Sequence, residues 1–166
     1  MKLIFLDIDG VLNAHEHDPE VLCGQIHRDK VQLLNGVLRA TDARIVLSSA
    51  WRYLVLRGEM NLRGMEWLLR SHGLLADRFI GITRPDTMER VVYNGESGTW
   101  PLCNERGQQI TDWLKDNHGT PVDGYAVIDD LDLGISKAGH PFVETNGTIG
   151  MTKGCAEMLE MFLGAK

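Results

Sequence analysis

Lys2-Leu3-Ile4-Phe5-Leu6-Asp7-Ile8-Asp9-Gly10-Val11-Leu12-Asn13 opens with an apolar run that ends in two carboxylates and a glycine. A short apolar run bounded by turn-forming residues is what a parallel strand needs when helices cover both of its faces. The pattern returns at Ile45 to Leu47, Phe79 to Ile82 and Tyr125 to Ile128, with Pro141 to Val143 as a weaker fifth run. Between these runs the apolar residues take helical spacing. Val31, Leu34, Val37 and Leu38 follow Asp29, and Leu62, Met65, Leu68 and Leu69 precede Gly73. Ile110, Trp113 and Leu114 follow a potential N-cap at Asn104, and Ala156, Leu159, Phe162 and Leu163 follow Thr152. The alternation predicts an α/β fold, a doubly wound, Rossmann-like parallel sheet of about five strands flanked by helices. Segments 9–28 and 85–104, rich in His, Asp, Gly and Pro, read as loops.

The chain has 166 residues, 43% of them hydrophobic and 24% charged, enough for one domain over 1–166 with its own core. No repeat or Pro/Gly/Ser-rich linker divides it. No apolar run approaches the length of a membrane span, and Asp7 interrupts the first run before it could serve as a signal peptide. A cytoplasmic protein with no membrane partner is expected. Cys23, Cys103 and Cys155 are odd in number and lack CxxC spacing, which implies no disulfide partner and no cysteine zinc site. The net charge of -6 argues against a whole-surface affinity for nucleic acid, yet residues 39–90 hold nine arginines against six acids. That stretch is either a patch for a polyanion or a solvated, arginine-rich helix face.

Ligands of open α/β sheets collect at the carboxyl ends of the strands. Here the first run ends in Asp7-Ile8-Asp9-Gly10, the second in Ser48-Ser49 and the fourth in Asp129-Asp130. Four carboxylates and two hydroxyls would meet on one rim. Like charges so crowded are costly unless a cation neutralises them, and a hard, oxygen-rich site with room for water suits Mg²⁺. Taken singly, each residue could instead cap a helix or make a turn.

These residues resemble the motifs of the haloacid dehalogenase (HAD) superfamily of phosphotransferases. Asp7 to Gly10 is similar to its first motif, a strand followed by DxDG. Ile45-Val46-Leu47-Ser48 resembles the second, a strand ending in Ser or Thr, and Val127-Ile128-Asp129-Asp130 the fourth. For the basic residue of the third motif, Arg106 is the candidate and Arg84 the reserve. DIDGVLN, LSSAWR, TRPD, RGQQI and IDDLD are together similar, more narrowly, to the HAD domain associated with RNA repair proteins. The segments that carry cap domains in this superfamily, 13–45 and 49–106, leave no room for a full cap. An uncapped rim suits large substrates, RNA or DNA ends among them, and the 85–104 loop with Tyr93 and Trp100 would form at most a partial lid.

The resemblance implies a Mg²⁺-dependent phosphatase that forms an aspartyl phosphate on Asp7, with Asp9 as general acid and base. It implies Mg²⁺ ligation by Asp7, the Asp9 backbone carbonyl and Asp130, supported by Asp129. Ser48 and Arg106 would bind the phosphoryl group. Ser49 and Arg52 are candidates for substrate contact, Arg52 because a guanidinium fits phosphate bidentately. Trp51 could stack on a nucleic-acid end or pack in the core. His15-Glu16-His17-Asp18 reads as a solvated flap ahead of a zinc cluster. Two non-catalytic readings compete: a receiver-like signalling module, disfavoured because the third run ends in Thr83-Arg84 rather than an Asp, and a phosphate-binding pseudoenzyme, disfavoured by the presence of both Asp7 and Asp9.

Overall fold

The computed structural model describes residues 1–14, 25–84, 88–93, 96–101, 105–116, 119 and 121–164, with the backbone alone at 88–93 and 96–101. The five apolar runs form one all-parallel sheet. Its strands are β1 (Lys2–Leu6), β2 (Arg44–Leu47), β3 (Phe79–Ile82), β6 (Gly124–Asp129) and β7 (Phe142–Glu144), in the order β3-β2-β1-β6-β7. The helices are α1 (Arg28–Thr41), α2 (Arg52–Leu56), α3 (Leu62–Ser71), α4 (Arg106–Asp116) and α5 (Lys153–Phe162).

Alternation along β1 explains why its run has no polar member. Ile4 and Leu6 face a core built with Val31, Leu34 and Leu38 of α1, Met65 and Leu69 of α3 and Leu159 of α5. Leu3 and Phe5 face the opposite core, with Ile110 of α4 and Ile135, where Trp113 packs edge-on against Phe5. A strand covered on both sides has no solvent face on which a polar residue is tolerated. The helix ends follow local chemistry. Asn61 caps α3 by accepting from Gly64 N, and Thr152 caps α5 by accepting from Cys155 N. Asn104 lies outside the described residues.

The segment expected as a loop over 85–104 is different. It contains an antiparallel hairpin of β4 (Met88–Tyr93) and β5 (Glu96–Pro101), registered from Met88 opposite Pro101 to Tyr93 opposite Glu96. Two residues, Asn94-Gly95, separate the strands in sequence, and this dipeptide is the strongest short hairpin signal. The Gly and Pro content of the segment concealed it. Between β2 and α4 there are thus two helices, an edge strand and a hairpin, where one helix, one strand and a loop were expected.

Register aligns the carboxyl ends of the strands. Leu6 stands opposite both Leu47 and Ile128, so the next residues of each strand are level. The ladder continues one step beyond the strands: Thr83 N donates to Leu47 O, Ser48 N to Leu6 O, Asp7 N to Ile128 O and Thr145 N to Asp129 O. Thr83, Ser48, Asp7 and Asp129 therefore stand in a row across the sheet edge, with Thr145 one residue beyond Glu144, the residue level with Asp129.

Candidate active site

Asp7 occupies the middle of this row, where it is almost fully buried. One oxygen each of Asp7, Asp129 and Asp130 lies within 4.8 Å of the others, and Asp129 is itself buried. Arg106, the first residue of α4, hydrogen-bonds Asp129 Oδ2 and stands 3.4 Å from Asp7 Oδ2. It is the basic residue that the fold brings to the acids. Arg84 is exposed and lines a separate groove with Trp113 and Asp112.

Burial pushes the Asp7 carboxyl up from its ordinary 3.8 to about 7; the Arg106 guanidinium pulls it down and the Asp129 carboxylate raises it further. Hydrogen bonds from the Ser49 hydroxyl and the Ile8 backbone also favour the charged form. Asp129 is raised as well, first by burial, with Arg106 opposing. The charged forms are therefore under-compensated by the protein alone. Three carboxylate oxygens in one small space, all hard donors, fit a divalent cation of the Mg²⁺ type.

Two close approaches shape the pocket. Gly10 has a φ of +71°, and a Cβ there would come within 2.4 Å of the Asp130 carboxyl. Only glycine combines that backbone with Asp130 in its place. Gly107 lets α4 dock: a Cβ there would meet Gly134 O at 2.1 Å. Gly10 is fixed by Asn13 Oδ1, which accepts from its N–H at 2.9 Å, and by Thr145 Oγ1, which donates to its carbonyl at 2.8 Å.

The second-motif residues diverge. The Ser49 hydroxyl favours the charged form of Asp7 and accepts from Trp51 N at 3.3 Å, while Ser48 Oγ accepts from Thr83 Oγ1 at 3.3 Å on the β3 side. Arg52 is fully buried. Its guanidinium donates to Ser49 O at 2.9 Å, Tyr53 Oη at 3.0 Å and Gln109 Oε1 at 2.8 Å. The structure thus places this arginine, expected at the substrate, beneath the site, where it ties the Ser49 turn to α4. Asp9 stands outside the three-carboxylate cluster, held by Trp51 and Asn13. Both of its carboxylate oxygens lie 3.0 Å from Trp51 Nε1, and Asn13 Nδ2 donates to Oδ1 at 2.7 Å. Sequence reasoning considered Trp51 only for stacking or core packing. No local signal could have shown the contact, because 42 residues separate the partners.

His15 to Asp18, read as a flap, lie outside the described residues, as do Cys23 and Cys103; Cys155 is a free thiol. No helix among the described residues is long and apolar enough to cross a membrane.

An all-parallel sheet with an acidic carboxyl edge, a buried arginine at the next helix start and a serine-ended neighbouring strand defines a hydrolase of the HAD-like, phosphatase kind. The family described as "HAD domain in Swiss Army Knife RNA repair proteins" matches residues 3–156, and the chain belongs to it. No curated protein and no solved structure matches the chain.

Proposed function

We propose that the protein is a Mg²⁺-dependent phosphomonoesterase that works through an aspartyl phosphate on Asp7 and acts on phosphorylated nucleic-acid ends. The observation that carries this reading is the buried Asp7 carboxylate, set among Asp129, Asp130 and Arg106. Asp7, Asp130 and Asp129, with the Asp9 carbonyl, are the residues that would hold the cation. When bound, Mg²⁺ supplies positive charge against the phosphoryl oxygens and the carboxylates.

The remaining steps belong to the chain. A carboxylate oxygen of Asp7 attacks phosphorus while the bond from phosphorus to the leaving oxygen breaks. Asp9 gives its proton to that oxygen, and the product alcohol departs. Water then attacks the phosphorus of the acyl phosphate, Asp9 takes the water's proton, and phosphate leaves with Asp7 restored. Arg106 places a permanent charge beside the transferring group, and Ser48 offers its hydroxyl to a phosphoryl oxygen. Ser49 orients Asp7. Arg52 serves by holding the Ser49 carbonyl and Gln109 rather than by touching substrate.

The substrate class rests on the family's description. A panel of 3′- and 5′-phosphorylated oligonucleotides, nucleotides, sugar phosphates and phosphopeptides, assayed with Mg²⁺ and with EDTA, tests it. Expected are EDTA-sensitive phosphate release, highest kcat/KM on oligonucleotides, and a fall in that value as salt rises. Metal-independent release would overturn the mechanism, and higher kcat/KM on small metabolites, flat with salt, would overturn the substrate class.

A further inference from the structure

Asp9 is held by Trp51, which the LSSAWR stretch carries just past the serines that end β2. Trp51 sits in the turn between Ser49 and α2, half-buried, and its indole N–H is shared between the two oxygens of the Asp9 carboxylate at 3.0 Å each. Asn13 Nδ2 donates to Oδ1 at 2.7 Å, and Asn13 Oδ1 also accepts from Gly10 N, which fixes the amide against the loop. Two donors from opposite ends of the site thus fix one carboxylate. Oδ1 takes the amide and half of the indole; Oδ2, among the described residues, takes only the other half, and is the oxygen left to exchange a proton. The same grip keeps the Asp9 side chain out of the Asp7, Asp129 and Asp130 cluster, where a fourth carboxylate would compete as a metal ligand.

We propose that Trp51 is a positioning residue for Asp9: it pins the carboxyl in one orientation, with Oδ2 toward the leaving-group oxygen. This rests on the reading of Asp9 as general acid. Its substrate consequence is specific. An alkoxide, such as the ribose oxygen of a nucleic-acid end, is a poor leaving group without a proton, whereas p-nitrophenolate departs unaided. Pinning Asp9 therefore matters for alkyl phosphates and little for aryl ones.

The test compares kcat/KM for an oligonucleotide 3′-phosphate with that for p-nitrophenyl phosphate, in Mg²⁺, for the full chain and for Trp51→Phe, Asp9→Asn and the double variant. kcat/KM reports steps through leaving-group departure, so the later water step does not enter. The ratio of the two values is independent of the fraction of folded enzyme, and Trp51→Leu provides a second replacement without the N–H. Asp9→Asn should lower the alkyl-to-aryl ratio about 100-fold, and Trp51→Phe about tenfold. The double variant should match Asp9→Asn, because a residue acting only through Asp9 has nothing further to lose. An unchanged ratio in both Trp51 variants, with a collapsed ratio in Asp9→Asn, would overturn the pinning and leave the general-acid reading intact. An additional loss in the double variant would overturn it too. An unchanged ratio in Asp9→Asn would remove the general acid and the pinning together.

Discussion

Asp7 is the residue on which chemistry and folding pull in opposite directions. On the proposed mechanism its carboxylate must be charged to attack phosphorus, yet burial favours the neutral acid despite Arg106 nearby. Asp7→Asn is accordingly expected to abolish phosphate release from p-nitrophenyl phosphate while leaving the metal-free protein at least as heat-stable at pH 8 as the wild type. A melting point well below wild type, or hydrolysis at the wild-type rate, would contradict the assignment. Gly10 makes the complementary case, since its importance is entirely steric. Gly10→Ala must either flatten a φ of +71° or push the Asp130 carboxyl from a contact of 2.4 Å. We predict a loss of about 1–3 kcal/mol in stability, the usual cost of a strained backbone position. A raised Mg²⁺ requirement for turnover should accompany it, measured by titrating activity with the metal. Unchanged half-saturation by Mg²⁺ would mean that Asp130 is no ligand.

At the scale of elements, the site is a junction between strand ends and the start of α4. Arg52 reaches from α2 to Gln109 of α4, one turn beyond Arg106, and to the carbonyl of Ser49, whose hydroxyl favours the charged form of Asp7. Replacing it by methionine keeps much of the volume but leaves three buried acceptors, Ser49 O, Tyr53 Oη and Gln109 Oε1, without these donors. Arg52→Met should destabilise by about 2 kcal/mol in denaturant unfolding and lower kcat/KM roughly tenfold on every phosphomonoester, aryl or alkyl. A loss confined to oligonucleotides would return Arg52 to the role of substrate contact. The strands were legible in the sequence because a two-faced parallel sheet demands unbroken apolar runs, and the acids because register sets residues 7, 48 and 129 level just past those runs. The hairpin at 88–101 was hidden because its Gly and Pro content outweighed a single Asn-Gly signal. Burial of Arg52 and the contact from Trp51 to Asp9 were not legible at all. An arginine reads as a surface residue until a partner 57 positions away gives it an interior acceptor, and no periodicity encodes so distant a pairing.

For the molecule as a whole, the proposed metal site would couple stability and protons to the cation through the acidic cluster. Asp7 binds its proton near pH 7 when folded and near 3.8 when unfolded, so between those values the folded state holds more protons. In EDTA, stability should therefore be greatest near pH 4 as far as Asp7 is concerned, fall as pH rises through the interval, and level off above about 7. Asp129, also raised, acts in the same direction. Where the cluster holds Mg²⁺ as proposed, the metal should reverse the slope, because a cation needs the carboxylates deprotonated and binding must displace the protons that the folded state retains. The gap between melting temperatures measured with Mg²⁺ and with EDTA should be small at pH 5 and widen steadily to pH 8. Asp7→Asn should narrow the gap at every pH and flatten its growth through pH 7, because the group that exchanges a proton for the metal is gone. A gap that is constant with pH in the wild type would mean that the three carboxylates do not share a cation.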